Sequence, residues 1–400
     1  MMTSQTKQVL FFAEAVTLAH VARCVSIANE LHKVGAYTLT LAADDRYEEI
    51  LGALPFNRVP LNTISSSYFA KKIAGGFPIY NVETLTKYVM EDLSIIDEIK
   101  PDFIIGDFRL SLAISCRIKK IPYATITNAY WSPYADISIP IPEMPLTKLF
   151  GIALAQKMFD LLRPQVFKLH AYAFNKVCKK FRQPTLGSDL REVYTHADYT
   201  LYADIESFVP MKTLPENHIF IGPVLWSAEV GLPSWWTELP THKPIIFITL
   251  GSSGESSLLP MLLSSLSKMD VTVLCVTAKK TSITSRYDNI FIADFIPAEL
   301  AVKKADIVIC NGGSPMVYQS ITENKFVIGL PSNLDQYLMM TLAHNAGLGL
   351  LIRSGKVTAS QIEDAVNYGL QHKKNYKHKL DCSLAINKIT ELIDSANQTT

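Results

Sequence analysis

The chain has 400 residues, 38 basic and 37 acidic side chains, a net charge of +1 and 48% apolar residues. That length allows roughly two or three globular domains, and near-neutrality excludes attraction of the whole protein to nucleic acid. The six cysteines, Cys24, Cys116, Cys178, Cys275, Cys310 and Cys382, form no C-x-x-C pair. They support neither a zinc site nor a disulfide framework, which points to a reducing, cytoplasmic setting.

The first twenty residues, MMTSQTKQVLFFAEAVTLAH, imitate a signal peptide with Ala13-Glu14-Ala15 as its cleavage site. The apolar core is about five residues, short of the usual 7–15, and one lysine makes a poor n-region. The run Gln8–Ala15 is therefore read as a first strand. No apolar stretch approaches the ~20 residues that span a bilayer.

Helical spacing of apolar residues follows over His20–Lys33 and stops at Gly35, before a second strand, YTLTLAA. DFIIGD (Asp102–Asp107), a helix over Leu110–Lys119 and IPYATIT repeat the alternation, the pattern of parallel βαβ units. The proline- and glycine-interrupted stretch Gly222–Pro244 reads as a linker. The alternation restarts with IIFITL, a helix to Met269, and the strands VTVLCVT, NIFIADF and DIVIC. Two α/β domains are expected, residues 1–220 and 245–375, joined by a linker over 221–244. A C-terminal helix over 376–400 should pack on one or both.

Within the first expected domain, Thr147–Arg182 carries eight Lys or Arg against one acid, Asp160, with apolar residues interspersed. Such a segment is either a helix with a solvated basic face or an amphipathic surface for anionic lipid at the inner face of the membrane.

Four places carry candidate chemistry. Asn311, Gly312, Gly313 and Ser314 follow the strand DIVIC and open a helix, whose free N–H groups and dipole suit a phosphate. Gly251, Ser252 and Ser253 end an earlier strand of the same domain, and two such loops suit a diphosphate; glycines equally serve to tighten turns. Asp335 and Gln336 open the next helix, either complementing its dipole or addressing sugar hydroxyls. His20, between the first strand and first helix, and Asp107, at the end of a neighbouring strand, can form a base and its orienting acid, or be a helix-start residue and a cap.

The stretch Asn311–Gln336 resembles the donor-binding signature of the UDP-glycosyltransferase-like family, of the bacterial macrolide and natural-product type. The likeness runs over most of the chain, through His20, FIGPVLW, ITLGSSG and FIADFIPAELAVKKADIVIC in family order. It implies a GT-B fold, two Rossmann-like domains with acceptor bound by the first and nucleotide sugar by the second. It implies His20 and Asp107 as a catalytic dyad, and the loops at 251–253 and 311–314 on the diphosphate. Phe295, Ile296 and Gln319 fall to the nucleoside, Asp335 and Gln336 to the sugar.

Three positions depart from the family: Asn311 stands for its phosphate-binding His, Met316 for a Ser or Thr, and Gln319 for a ribose-binding Glu. No Asp-x-Asp triplet occurs, so no metal clamp on the diphosphate is expected. No cofactor is implied, the nucleotide diphosphate sugar being a substrate. The loops Ser65–Tyr80 and Asn128–Leu146 are aromatic and proline-rich, which suits an apolar, aromatic or lipid acceptor. The expectation is an inverting, metal-independent hexosyltransferase. A non-catalytic homologue that binds a ligand or partner, and a nucleotide-sugar epimerase, are the alternatives.

Overall fold

The computed structural model describes residues 6–251, 253–283, 286–372 and 382–396. The chain divides into two compact units. The first holds seven strands: β1 (Lys7–Ala13), β2 (Tyr37–Ala43), β3 (Asn57–Pro60), β4 (Phe103–Asp107), β5 (Tyr123–Thr127), β6 (Tyr199–Tyr202) and β7 (His218–Phe220). They lie in the order β3-β2-β1-β4-β5-β6-β7, every pair parallel. β4 is buried throughout and β1 over its last five residues, so both read as unbroken apolar runs, as strands covered on two faces must. Leu10, Phe12, Ile104, Leu112 and Tyr123 pack one side of this sheet.

The second unit has six strands: β8 (Ile245–Thr249), β9 (Thr272–Val276), β10 (Ile290–Ala293), β11 (Ile307–Cys310), β12 (Phe326–Gly329) and β13 (Gly349–Leu351). Their order is β10-β9-β8-β11-β12-β13, again parallel throughout. Ile246, Ile248, Leu262, Val273, Ile309 and Val366 form its core.

In each sheet the chain winds outward from a central strand, then returns and winds the other way. The reversals fall between β1 and β4 and between β8 and β11. Helices after these neighbours leave on opposite faces, and a crevice opens at the strand C-termini. His20 follows β1 and Asp107 ends β4; Gly251 follows β8 and Asn311 follows β11. The topology therefore puts the candidate groups of each unit at its reversal.

The units do not follow the expected boundaries throughout. Residues 139–156, expected with 1–220, belong to the second unit, which otherwise begins at Leu225. Polar contacts explain this. Glu143 accepts from the Tyr337 hydroxyl at 2.6 Å and pairs with Arg353 at 3.0 Å, and Arg353 donates to the Ile141 and Pro142 carbonyls, both at 3.1 Å. The helix Pro145–Lys180 is interrupted at Gly151, whose φ of 71° and ψ of 168° leave helical space. The last helix, Cys382–Ser395, packs on the first unit. Lys7 donates to the Ile393 carbonyl at 2.8 Å, and Lys388 to the Phe220 carbonyl at 2.7 Å. Residues 376–381 and 397–400 of the expected C-terminal segment, and 373–375 at the end of the expected second domain, lie outside the described residues.

Candidate active site

The helix Leu18–Val34 starts five residues after β1 and ends on Gly35, left-handed at φ 73°. His20 lies in its first turn, and Arg23, one turn on, shares its face. Ala13 of β1 is in register with Asp107 of β4, so the two strands end level. His20 Nδ1 then meets Asp107 Oδ1 at 2.7 Å. Arg23 grips the same carboxylate twice, Nε to Oδ2 at 2.6 Å and Nη2 to Oδ1 at 2.8 Å. Its Nη1 donates to Asn128 Oδ1 at 2.9 Å, and Asn128 Nδ2 donates to Asp204 Oδ1 at 3.0 Å. This chain of polar groups crosses the C-terminal ends of β4, β5 and β6.

Asp107 is fully buried and Arg23 nearly so, whereas the His20 side chain keeps 16% of its surface exposed. Burial pushes the Asp107 carboxyl up, but Arg23 and then His20 outweigh it and hold it below the ordinary carboxylate value. An ionised carboxylate only accepts, so Nδ1 of His20 carries the proton it donates, and in the neutral form of the ring the lone pair is on Nε2.

The next residue, Phe108, has φ of 59°, rare for a bulky side chain. That turn lays its ring on His20, with centroids 4.7 Å apart and planes within 12°. Phe69, from the expected acceptor loop 65–80, meets Phe108 edge-on at 5.7 Å. Tyr194 contacts Phe108 at 5.5 Å and Trp131 at 5.3 Å, and Trp131, from the second expected loop, reaches Phe167 at 6.4 Å. Beside the imidazole stands an aromatic cluster drawn from five separate segments.

A second polar centre braces this region. Arg109 is fully buried and donates to Asp92, Glu14 and Glu91, each at 2.9 Å, and to the Asn62 carbonyl at 2.8 Å. Its guanidinium lies 3.7 Å from the centroid of the Tyr88 ring. Burial pushes the Glu14 and Asp92 carboxyls above their ordinary values, and Arg109 recovers only part of that. Glu14 directly follows β1 and Arg109 lies just past β4, so the pair staples the two segments that carry His20 and Asp107.

In the second unit, β11 runs into Asn311 and the helix Ser314–Thr322, capped by Gly313. Gly312 has φ of 80°, and a Cβ there would collide with Met340. The first of the paired glycines is required by backbone and packing together. Asn311 Oδ1 accepts from the Gly313 N–H at 3.2 Å, while its Nδ2 donates to Ser253 Oγ at 3.1 Å. Gln336, 1% exposed, also donates to Ser253 Oγ at 3.1 Å, and its Oε1 accepts from the Ser332 N–H at 2.9 Å. Two donors fill the acceptor capacity of the Ser253 oxygen, leaving its own O–H to donate. Gly251, at φ 59°, lies beside Asn311.

Asp335 stands in the first turn of Leu334–Asn345, a helix capped by Asn333, and is half-buried. Gln319 is buried on the helix Ser314–Thr322, as is Ile296 past β10, and Phe295 lies beneath Lys279 at 5.7 Å. The structure thus brings Gly251, Ser253, Asn311 and Gln336 together. Ser252 lies outside the described residues. Among the described residues, no group of three or more His, Cys, Asp or Glu side chains could hold a metal ion.

Arg23, Phe108 and Tyr194 are absent from the expected site, and Asn128 enters it only as the first residue of an expected acceptor loop, not as a partner of Arg23. Arg23 had a legible signal, its helical spacing from His20. Tyr194 had none, because its ring reaches the cluster only through tertiary packing.

Two parallel α/β units, each carrying its polar groups at the sheet reversal, and an Asp-oriented histidine define the class: a glycosyltransferase of the GT-B fold. Residues 245–396 match the glycosyltransferase family 28 C-terminal domain. A PGL/p-HBAD biosynthesis glycosyltransferase of Mycobacterium tuberculosis (strain ATCC 25177 / H37Ra) is 42% identical, over 91% of this chain and 85% of its own. A PGL/p-HBAD biosynthesis rhamnosyltransferase of Mycobacterium bovis (strain BCG / Pasteur 1173P2) is 40% identical, over 91% of this chain and 81% of its own. The chain belongs to this family of glycosyltransferases. Its fold is also that of the spinosyn rhamnosyltransferase SpnG complexed with thymidine diphosphate. That likeness has a TM-score of 0.63 at 14% identity, over 97% of this chain and 96% of that one.

Proposed function

We propose that this glycosyltransferase moves a hexose, with rhamnose the first candidate, from a nucleoside diphosphate to a hydroxyl of an aromatic or lipid acceptor. Inversion and metal independence are part of the proposal. The observation that carries it is the His20–Asp107 pair set against an aromatic cluster. In such a site the acceptor hydroxyl gives its proton to Nε2 of His20 as its oxygen attacks the anomeric carbon. Asp107 holds the ring in that tautomer and stabilises the imidazolium that forms, and Arg23 holds Asp107. The rings of Phe108, Tyr194 and Trp131 favour an apolar or aromatic acceptor body, in keeping with the PGL/p-HBAD role of the relatives.

The donor side rests on the second unit. The N–H groups opening Ser314–Thr322 and the hydroxyl of Ser253 are donors aimed from the strand ends, where a diphosphate's charge would be borne as the sugar leaves. The thymidine diphosphate complex of SpnG supports a nucleoside diphosphate leaving group. Asp335 is assigned to sugar hydroxyls, with Gln319, Phe295 and Ile296 on the nucleoside side. The near-neutral chain gives no reason to expect a nucleic-acid partner.

The test is to incubate the protein with uridine, thymidine and guanosine diphosphate sugars and a panel of phenolic and lipid acceptors. Product should form with chelator present, and its anomeric configuration, read by NMR, should be opposite to the donor's. Product of retained configuration, or activity restored only by a divalent cation, would overturn the corresponding part.

A further inference from the structure

We infer that the outer face of the helical stretch Lys157–Lys180 is a docking surface for an anionic lipid bilayer. Inside the first unit this stretch buries Phe167, Ala171, Phe174, Val177 and Cys178, and Phe167 reaches Trp131 of the aromatic cluster beside His20. The opposite face should be polar on a water-facing helix. Instead it exposes Leu161 at 78%, Leu169 at 57%, Tyr172 at 55% and Leu162 at 49%. At 100° per residue these four fall within one third of the helix circumference.

Charge says what covers them. Lys157, Lys168, Lys176, Lys179 and Lys180 are all exposed around the same leucines. The stretch has one acid, Asp160, whose carboxylate pairs with Arg163 at 2.8 Å off the apolar stripe. A neighbouring loop continues the pattern: His170 contacts the Gly76 carbonyl at 3.2 Å, and the next residue, Phe77, is 60% exposed beside Lys71 and Lys72. Leucine and aromatic side chains ringed by lysines, without a competing acid, match the interface of a bilayer with anionic headgroups. A protein partner would be expected to present matching acids and would favour a mixed rim. The helix is one layer, ~10–12 Å, thick, so its outer face would sit on lipid while its inner face lines the cluster beside the candidate base.

Two arms of one experiment decide this. The full chain is sedimented with vesicles of phosphatidylcholine alone and of phosphatidylcholine mixed with phosphatidylglycerol. It should pellet with the mixed vesicles, and added salt should release it. Leu161→Asp with Leu169→Asp should lower binding by at least tenfold. Each of Lys168→Gln, Lys176→Gln and Lys179→Gln should cost about fivefold, the equivalent of ~1 kcal/mol per surface cation. These side chains are exposed, so folding should survive, as circular dichroism can verify. No binding of the wild-type chain to either vesicle, or equal binding by the double aspartate variant, overturns the proposal. So does sedimentation velocity showing a dimer that this variant dissolves, because the face would then join two copies of the chain.

Discussion

Arg23 clamps Asp107 through both carboxylate oxygens, at 2.6 and 2.8 Å, while the same carboxylate holds His20. Arg23 is therefore assigned as a positioning residue, acting on the proposed base through the acid. Arg23→Met should lower kcat with little change in the acceptor KM, because the contact is to the carboxylate and not to the acceptor. Arg23→Lys, which cannot reproduce the two-pronged grip, should rescue only in part. Equal recovery by lysine would reduce the role to charge alone.

His20→Ala should lower turnover by ~10²–10⁴, the usual scale of general-base loss. Nucleoside diphosphate binding should be unchanged, since that site is assigned to the other unit. Single-turnover kinetics beside calorimetry separate the two effects; wild-type turnover would remove His20 from the mechanism.

Asp107 also sets an acid limb of stability. Its folded value lies below the unfolded one, so its carboxylate stabilises the fold fully above about pH 4. That contribution is lost as pH falls through the lower, folded value. Denaturation followed from pH 6 down to pH 2 should show the loss in the wild type, and Asp107→Asn should remove this component. An unchanged acid limb in the variant would mean that other carboxylates govern it.

Arg109→Leu leaves Glu14 and Asp92 buried without their cation. A cost of about 3–5 kcal/mol is expected on urea unfolding, the range for breaking a buried ion pair from one side. A loss under 1 kcal/mol would show that the two acids take up protons when Arg109 is gone.

Asn311→Ala removes one of the two donors that orient Ser253. Loss of one hydrogen bond to a charged phosphate corresponds to ~1.5–3 kcal/mol of nucleoside diphosphate affinity. Ser253→Ala should cause much of the same loss, and the double variant little more, because both act through one hydroxyl. Additive losses in calorimetry would separate them. Asp335→Ala should instead weaken the intact nucleotide sugar and spare the free diphosphate.

The alternation of apolar runs with helical periods settled the α/β class, because doubly covered parallel strands leave long apolar words such as VLFFA and DFIIGD. Strand-end position placed His20, Asp107, Asn311 and Gly312 at the sheet reversals, since sequence adjacency to a strand is adjacency to the crevice. The short strands β3, β6, β7 and β13 were invisible: at three or four residues they show no period, and unlike the equally short IFIA and IVIC they carry no unbroken apolar run of four. Assignment of 139–156 to the second unit rests on Glu143, Tyr337 and Arg353, partners about two hundred residues apart that no local pattern connects. Likewise the aromatic cluster joins Phe69, Phe108, Trp131, Phe167 and Tyr194 only after folding. Local physics named the candidate base and its acid; only long-range packing chose the arginine that holds the acid and the rings that surround the pair.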